Sequence, residues 1–489
     1  MTTIVESWVR TFLSLLAFFI FIGGTIYFVI SSIDEDQVKK IVLKEVELLT
    51  GQKLQVKGAL NFTVWPLPTV TMKEVSVAFK TDTKASTLLS AKTLVLRLDP
   101  WMLLKMERQV SSNVDMELEI DAFIIEDLKI KTTESDQHYY IDLLSGTLQG
   151  LNTKKVSIKK LKAQRRKSYL KGDLVFQKNH IDGHLKSEYF DLKDFPGPLS
   201  NLALFISKST SRTTVLNFQF DALQTTSILL NNIKLRTQVV GQKIILSPFS
   251  FTLAQGIVQG SIILNNGYAN INMQANDIIF AKLLNEVLGG NKGLLGGNTQ
   301  MRLWATGRGS TFDEIISSLT GNAFFVMKNA VLEDKTFQTS VSQLFFKFFH
   351  VFNPAIEKEK HTYIQCAALR LDLKEGMAYA KNNFGLETKQ FNVWGSGKIN
   401  LKNKALDFEI YNKPKGKLNI EIGQFAKYVQ VGGTIEDPKF SFNPKGLLQE
   451  GVSIIAGIAT GGMSTLAEQV VKMGSPNESA CESVIYKKN

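Results

Sequence analysis

Apolar residues recur at every second position in short runs along nearly the whole chain, which limits the fold to sheets that are dry on one side. Leu54, Val56, Leu60, Phe62 and Val64 alternate with polar partners until Trp65-Pro66-Leu67-Pro68 breaks the run, giving a strand or a bent pair. The same period returns at Val75, Val77 and Phe79, at Leu94, Leu96 and Leu98, at Met116, Leu118 and Ile120, and at Val156 and Ile158. It continues at Leu216, Phe218 and Phe220, at Phe249, Phe251 and Leu253, at Leu406, Phe408 and Ile410, and at Leu418, Ile420 and Ile422. A period of two sends successive side chains to opposite sides of a strand, so each run has one apolar side and one polar side. A closed sandwich would reach a boundary after roughly 100 residues. No Pro/Ser-rich linker marks one here.

Helical spacing is confined to a few places. Thr11 to Ile33 is 23 residues long and holds no charged residue, about the length a tilted helix needs to cross a bilayer. It is longer than the apolar region of a signal peptide; the alternative is cleavage near Ser31 or Ser32. Flanking charge hardly orients it, because Arg10 precedes the span while Asp34, Glu35, Asp36, Lys39, Lys40 and Lys44 all follow closely. A short tail ahead of a long body fits a signal anchor with the body translocated. An acidic-led helix is expected from Asp34 to Thr50, stopped by Gly51, with others at Ile278–Leu288, Phe312–Leu319 and the phenylalanine-rich Thr336–Phe352. The uncharged, Gly- and Ala-rich stretch Val452 to Ala467 is short for a transmembrane span and glycine-rich for a helix, which leaves a weak membrane contact or a terminal cap open.

The net charge of +12 is informative only where it is clustered. From Lys154 to Lys171 nine basic residues occur without an acidic one. Lys154, Lys155, Lys159, Lys160, Arg165 and Arg166 are candidates for contact with anionic head groups, and a solvated sheet face is the alternative. Only Cys366 and Cys481 are present, which excludes a disulfide framework and a multi-cysteine metal site but leaves one bridge open in an oxidising compartment. Cys366, in an alternating run, also reads as a buried hydrophobe.

The order of segments resembles the AsmA family of Gram-negative envelope proteins. At the N-terminal end the resemblance rests on the anchor, the acidic-led helix, Leu49-Thr-Gly-Gln-Lys-Leu-Gln-Val-Lys-Gly-Ala-Leu-Asn-Phe, and Trp65-Pro-Leu-Pro-Thr-Val-Thr-Met-Lys-Glu-Val-Ser-Val. In the C-terminal half it rests on Ile278 to Leu288, Gly297 to Gly307, and Ile315-Ile-Ser-Ser-Leu-Thr-Gly-Asn-Ala-Phe-Phe-Val-Met-Lys-Asn-Ala-Val. The strands beginning at Cys366, Trp394 and Val431 follow in the same order, while Ser112 to Leu246 is similar only in its strand pattern.

This resemblance implies a mainly β protein: an N-terminal transmembrane helix, then an elongated, curled β-sheet groove of the bridge-like lipid-transfer type with a few short helices. The expected divisions are 1–33 for tail and anchor, 34–250 and 251–445 for two groove parts, and 446–489 for the C-terminal segment. The implied location is the bacterial inner membrane, single-pass through Thr11 to Ile33, with the body in the periplasm. Phospholipids are then the expected partners, with an outer-membrane contact at the C-terminus and no nucleic acid. Acyl chains would lie along Leu54, Val56, Leu60, Phe62, Leu94, Leu96, Phe218, Phe220, Phe249, Phe251, Phe408 and Ile410, for each of which ordinary core packing is the alternative.

No cofactor, metal site or catalytic group is nominated. His180 and His184 lie in strand-turn sequence without a third ligand nearby, and Gly395-Ser396-Gly397-Lys398 lacks phosphate-loop spacing. No G-x-S-x-G or H-E-x-x-H occurs, so an enzyme is not expected. The competing reading is a non-enzymatic assembly or scaffold factor for outer-membrane proteins.

Overall fold

The computed structural model describes residues 54–63, 67–80, 86–99, 120–132, 138–150, 155–194, 213–225, 228–288, 293–333, 361–415, 428–435, 437–442 and 479–486, together with positions 43, 44 and 47. The expected anchor Thr11 to Ile33, the helix Thr336–Phe352, the stretch Val452–Ala467 and Lys154 lie outside the described residues. Among the described residues no helix is long and apolar enough to cross a membrane. The chain forms two compact units, Met1–Gly197 and Pro198–Asn489.

The first unit is an antiparallel meander. Its strands are β1 Gln55–Val56, β2 Leu60–Thr63, β3 Thr69–Lys80, β4 Ser86–Leu98, β5 Ile120–Thr132, β6 His138–Gln149, β7 Lys155–Arg165, β8 Ser168–Gln177 and β9 His180–Asp191. From β3 onward each strand pairs with the next in sequence. β1 and β2 are the two arms of a bent strand, and both pair with β3. The bend centres on Gly58, whose N–H donates to the Lys73 carbonyl at 3.1 Å. A Cβ there would collide with Lys73, so only glycine lets the two backbones approach this closely.

The second unit continues the same construction with β10 Thr213–Gln224, β11 Leu229–Val240, β12 Lys243–Leu253, β13 Gly256–Asn265 and β14 Tyr268–Ile279. After helix α1, Phe280–Leu288, come β15 Leu294–Arg308, the short helix α2, Phe312–Ile316, and β16 Thr320–Glu333. The remaining strands are β17 His361–Lys374, β18 Met377–Thr388, β19 Phe391–Asn400, β20 Leu406–Pro414, β21 Tyr428–Gly433 and β22 Pro438–Phe442, followed by helix α3, Ala480–Ile485. Neighbours in sequence pair antiparallel from β10 through β22. Tight turns enforce this order. Asn266-Gly267 and Glu375-Gly376 have positive φ at both central residues, the backbone that matches the twist of a two-residue hairpin. The protein is thus mainly β, with open antiparallel sheets and a few short helices.

Two of the helices expected in this unit are present, the first beginning at Phe280 and not at Ile278, because Ile278 and Ile279 still pair with β15. α1 lays Phe280, Ala281 and Leu284 on the apolar side of the sheet, where Phe280 meets the Phe325 ring edge-on at 5.5 Å. α2 is opened by a reciprocal cap, in which the Thr311 hydroxyl accepts from Glu314 N–H and the Glu314 carboxylate accepts from Thr311 N–H.

α3 sits on the opposite, polar side of β17 and β18. A disulfide joins Cys366 on β17 to Cys481 on α3, with the two Cα atoms 6.3 Å apart. Cys481 and Val484 are buried against Val326 and Ala368, and Ala480 is buried beside them. The open bridge question is therefore settled: Cys366 is both buried and bonded. Gly385 on β18 makes room for this docking, because a Cβ there would strike the Ala480 carbonyl. Gly385→Val is expected to force α3 off the sheet and leave both cysteines reduced. Titration with a thiol reagent checks this, and absence of free thiol in the folded variant would contradict it.

Candidate functional site

Directly opposed residues of antiparallel strands lie on the same side of the sheet, so the register shows whether the apolar sides of successive strands join. In the first unit they do. One row runs Phe62, Val70, Leu96, Phe123 and Gly146; the next runs Leu60, Met72, Leu94, Ile125, Leu144, Ala163 and Leu170. Gly146 does not break its row, since the Phe123 ring and the Ile158 side chain fill the space beside it.

The second unit repeats the pattern. Phe218 stands opposite Leu235, then Phe249, Gly260, Met273, Leu303 and Ala323. Beside it run Phe251, Val258, Ala275, Met301, Phe325 and Leu369. Within strands, Phe218 stacks on Phe220 at 5.9 Å and Phe249 on Phe251 at 6.3 Å between ring centroids. These flat rings form a smooth apolar surface with few polar atoms to hold a ligand in one place.

Burial divides the expected lining residues into two groups. Leu54, Val56, Leu60, Phe62, Leu94, Phe218, Phe249 and Phe251 are half-buried. Leu96, Phe220, Phe408 and Ile410 are buried. Phe408 and Ile410 belong to the cluster that also holds α1, Met327, Leu386 and Val393, so the C-terminal strands of the second unit are packed as a closed core.

The apolar face of the first unit ends in a polar margin. Arg165 donates to the Asp142 carboxylate at 2.7 Å and lies over the Tyr140 ring, 5.0 Å from its centroid. The backbone N–H of Arg166 also donates to Asp142, at 2.6 Å, while its guanidinium is 3.7 Å from Asp194. Buried Ser168 donates to the same Asp194 at 2.6 Å. The Arg166 N–H holds the Asp142 carboxyl below the usual carboxylate range; burial opposes this, and Arg165 reinforces it. A depressed folded-state value means that stability from Asp142 is fully present above its unfolded value, near 3.8, and is lost as pH falls through the folded value. Titration of the Asp142 carboxyl by NMR should accordingly have its midpoint below 3.8, and Arg165→Gln should move it upward. An unshifted midpoint would contradict the pairing.

Most of the expected basic residues are engaged locally. Lys159 is 3.4 Å from Asp173, and Lys160, at a bulge with φ of 53°, donates its backbone N–H to that carboxylate. Lys155 is exposed at the start of β7. The structure brings together a different set on the polar face: Lys162 opposes Lys171, and Lys171 opposes Lys186. Like charges directly opposed across strands are unfavourable, and Lys171 is offset by a close carboxylate, Glu188 at 3.0 Å. Lys186 falls outside the basic run and went unrecognised in the sequence. Its partner is nevertheless countable, because the two-residue turns Arg166-Lys167 and Lys178-Asn179 fix both registers. Of the two histidines, His180 pairs with Asp182 at 2.7 Å.

Comparison with known proteins adds one match: residues 207–382, from the start of the second unit into β18, match the AsmA family. No curated protein and no solved structure matches the chain.

Proposed function

From the membership of residues 207–382 in the AsmA family, we propose that the protein moves phospholipid along its apolar faces, anchored in the inner membrane with its body in the periplasm, in support of the outer membrane. The observation that carries the reading is the continuity of the apolar rows from β2 to β8 and from β10 to β14, in which buried residues such as Met72 and Val258 stand among half-buried ones such as Phe62, Leu94, Phe218 and Phe249. Such rows gain about 0.8 kcal/mol for each acyl CH₂ they take from water. Because every step along a row offers similar carbon surface, a tail can shift without breaking a specific bond. The polar margin at Asp142 and Arg165 would keep head groups at the wet edge. The Cys366–Cys481 bridge supports an oxidising compartment, since such bonds are rare in the reducing cytosol.

The test is photocrosslinking of the full-length protein in native membranes from probes at Phe218 and Phe249. Adducts of phospholipid mass are expected. Crosslinks to protein alone would sink the lipid path and favour the assembly-factor reading.

A further inference from the structure

The polar side of the second unit holds a cleft that the apolar rows do not use. Its floor is formed by outward-facing residues of β15 and β16, where Trp304 stands opposite Asn322, Arg302 opposite Phe324 and Asn298 opposite Lys328. One wall is the end of α3, Ile485 and Tyr486. That wall is fixed by the Cys366–Cys481 bridge, by Arg370, which donates to the Ile485 carbonyl at 3.2 Å, and by the Cys481 N–H, which donates to Glu387 at 2.8 Å. The cavity volume is about 750 Å³, within the range of small-ligand sites.

The lining chemistry is specific. Trp304 is 58% exposed and Tyr486 74% exposed, so two flat aromatic surfaces face water at one site. Arg302 and Lys328 form no ion pair with any described residue, and the single carboxylate in the lining, Asp277, accepts from Asn298 at 3.3 Å. Three cationic side chains thus face one carboxylate already in use. Gln300 and Asn322 add two amide side chains to the lining.

We propose that this cleft binds an anionic saccharide. A pyranose ring presents C–H groups on its flat sides and hydroxyls around its edge, which match an exposed indole surrounded by amides. A phosphate or carboxylate on the sugar is the complement of Arg302 and Lys328, the guanidinium offering paired donors to two oxygens. A phospholipid head group has the anion but generally no ring to stack. The same chemistry could be presented by a sugar-bearing lipid head or by a cell-wall fragment, and the proposal stands independently of the lipid path.

Calorimetric titration of the whole protein in detergent tests it with three probes: a phosphorylated core oligosaccharide released from a bacterial glycolipid, a muropeptide carrying a lactyl carboxylate, and a neutral glucose tetrasaccharide. At least one anionic probe is expected to bind ten-fold or more tightly than the neutral one; which of the two does so identifies the source. Trp304→Ala and Arg302→Ser should each weaken that binding at least ten-fold, while Trp304→Phe retains most of it and shows that the sheet is intact. Equal binding of the neutral sugar, no binding of either anionic probe, or unchanged binding by Trp304→Ala would overturn the proposal.

Discussion

Met72→Glu is expected to unfold the first unit, whereas Phe218→Glu should leave the second unit folded and, under the proposed function, deplete it of co-purifying phospholipid. The contrast follows from exposure on the same kind of face. Met72 is 0% exposed between Leu60 and Leu94, so a carboxylate there loses hydration without gaining a partner, at a cost of several kcal/mol. The lost methionine packing adds roughly 2 kcal/mol or more, and the total rivals the 5–15 kcal/mol that holds a typical domain. Phe218 is half-buried, and its substituted carboxylate can turn to water. Circular dichroism melts of both variants check the first half of the contrast. Lipid extraction from purified Phe218→Glu checks the second, and undiminished phospholipid in that variant would remove Phe218 from the path.

Cys481→Ser releases α3 without unfolding the strands beneath it. Because the strands beneath stay paired, the span to be closed runs from Phe442, at the end of β22, to Cys481, which costs about 4 kcal/mol in the chain-entropy description. The bridge makes that closure permanent, and without it the docked helix must meet the cost by contacts alone. Burial of Val484 supplies about 2 kcal/mol, and bonds to Glu387 and from Arg370 about 1 kcal/mol each. These contacts only about offset the closure cost and leave nothing over for ordering the helix itself, so the balance favours release. Hydrogen exchange should show loss of protection at 480–485 with β17 and β18 unchanged. Retained protection at α3 in the serine variant would show that the contacts suffice.

The strands were legible in the sequence because their code is local. Alternation at Leu94, Leu96 and Leu98 needs only three residues to declare a one-sided strand, and β4 carries them as expected. α1 and α2 were equally readable, from a 3.6-residue period in one case and the Thr311–Glu314 cap in the other, although α2 ends at Ile316, short of the expected Leu319. α3 escaped because six residues carry little helical signal, and a bridge to a strand far earlier in the chain holds them. Burial escaped too. Phe249 and Phe408 sit in similar alternating runs, yet one is half-buried and the other lies in a closed core that contains α1. The cleft around Trp304 depends on register across β15 and β16 and on α3, so no single run of sequence encodes it.

Pairing of strands with their immediate successors has a consequence for assembly. Within each unit, a strand's partner has either just been made or is the next to appear, so contacts are short in sequence and pairing can follow the order in which the chain emerges. A newly formed hairpin would serve as the template for the following one, and none of the described strands waits for a distant mate. The cysteine pair is the exception. Cys481 arrives long after Cys366, so oxidation would come last and act as a stamp of completion on a sheet already built.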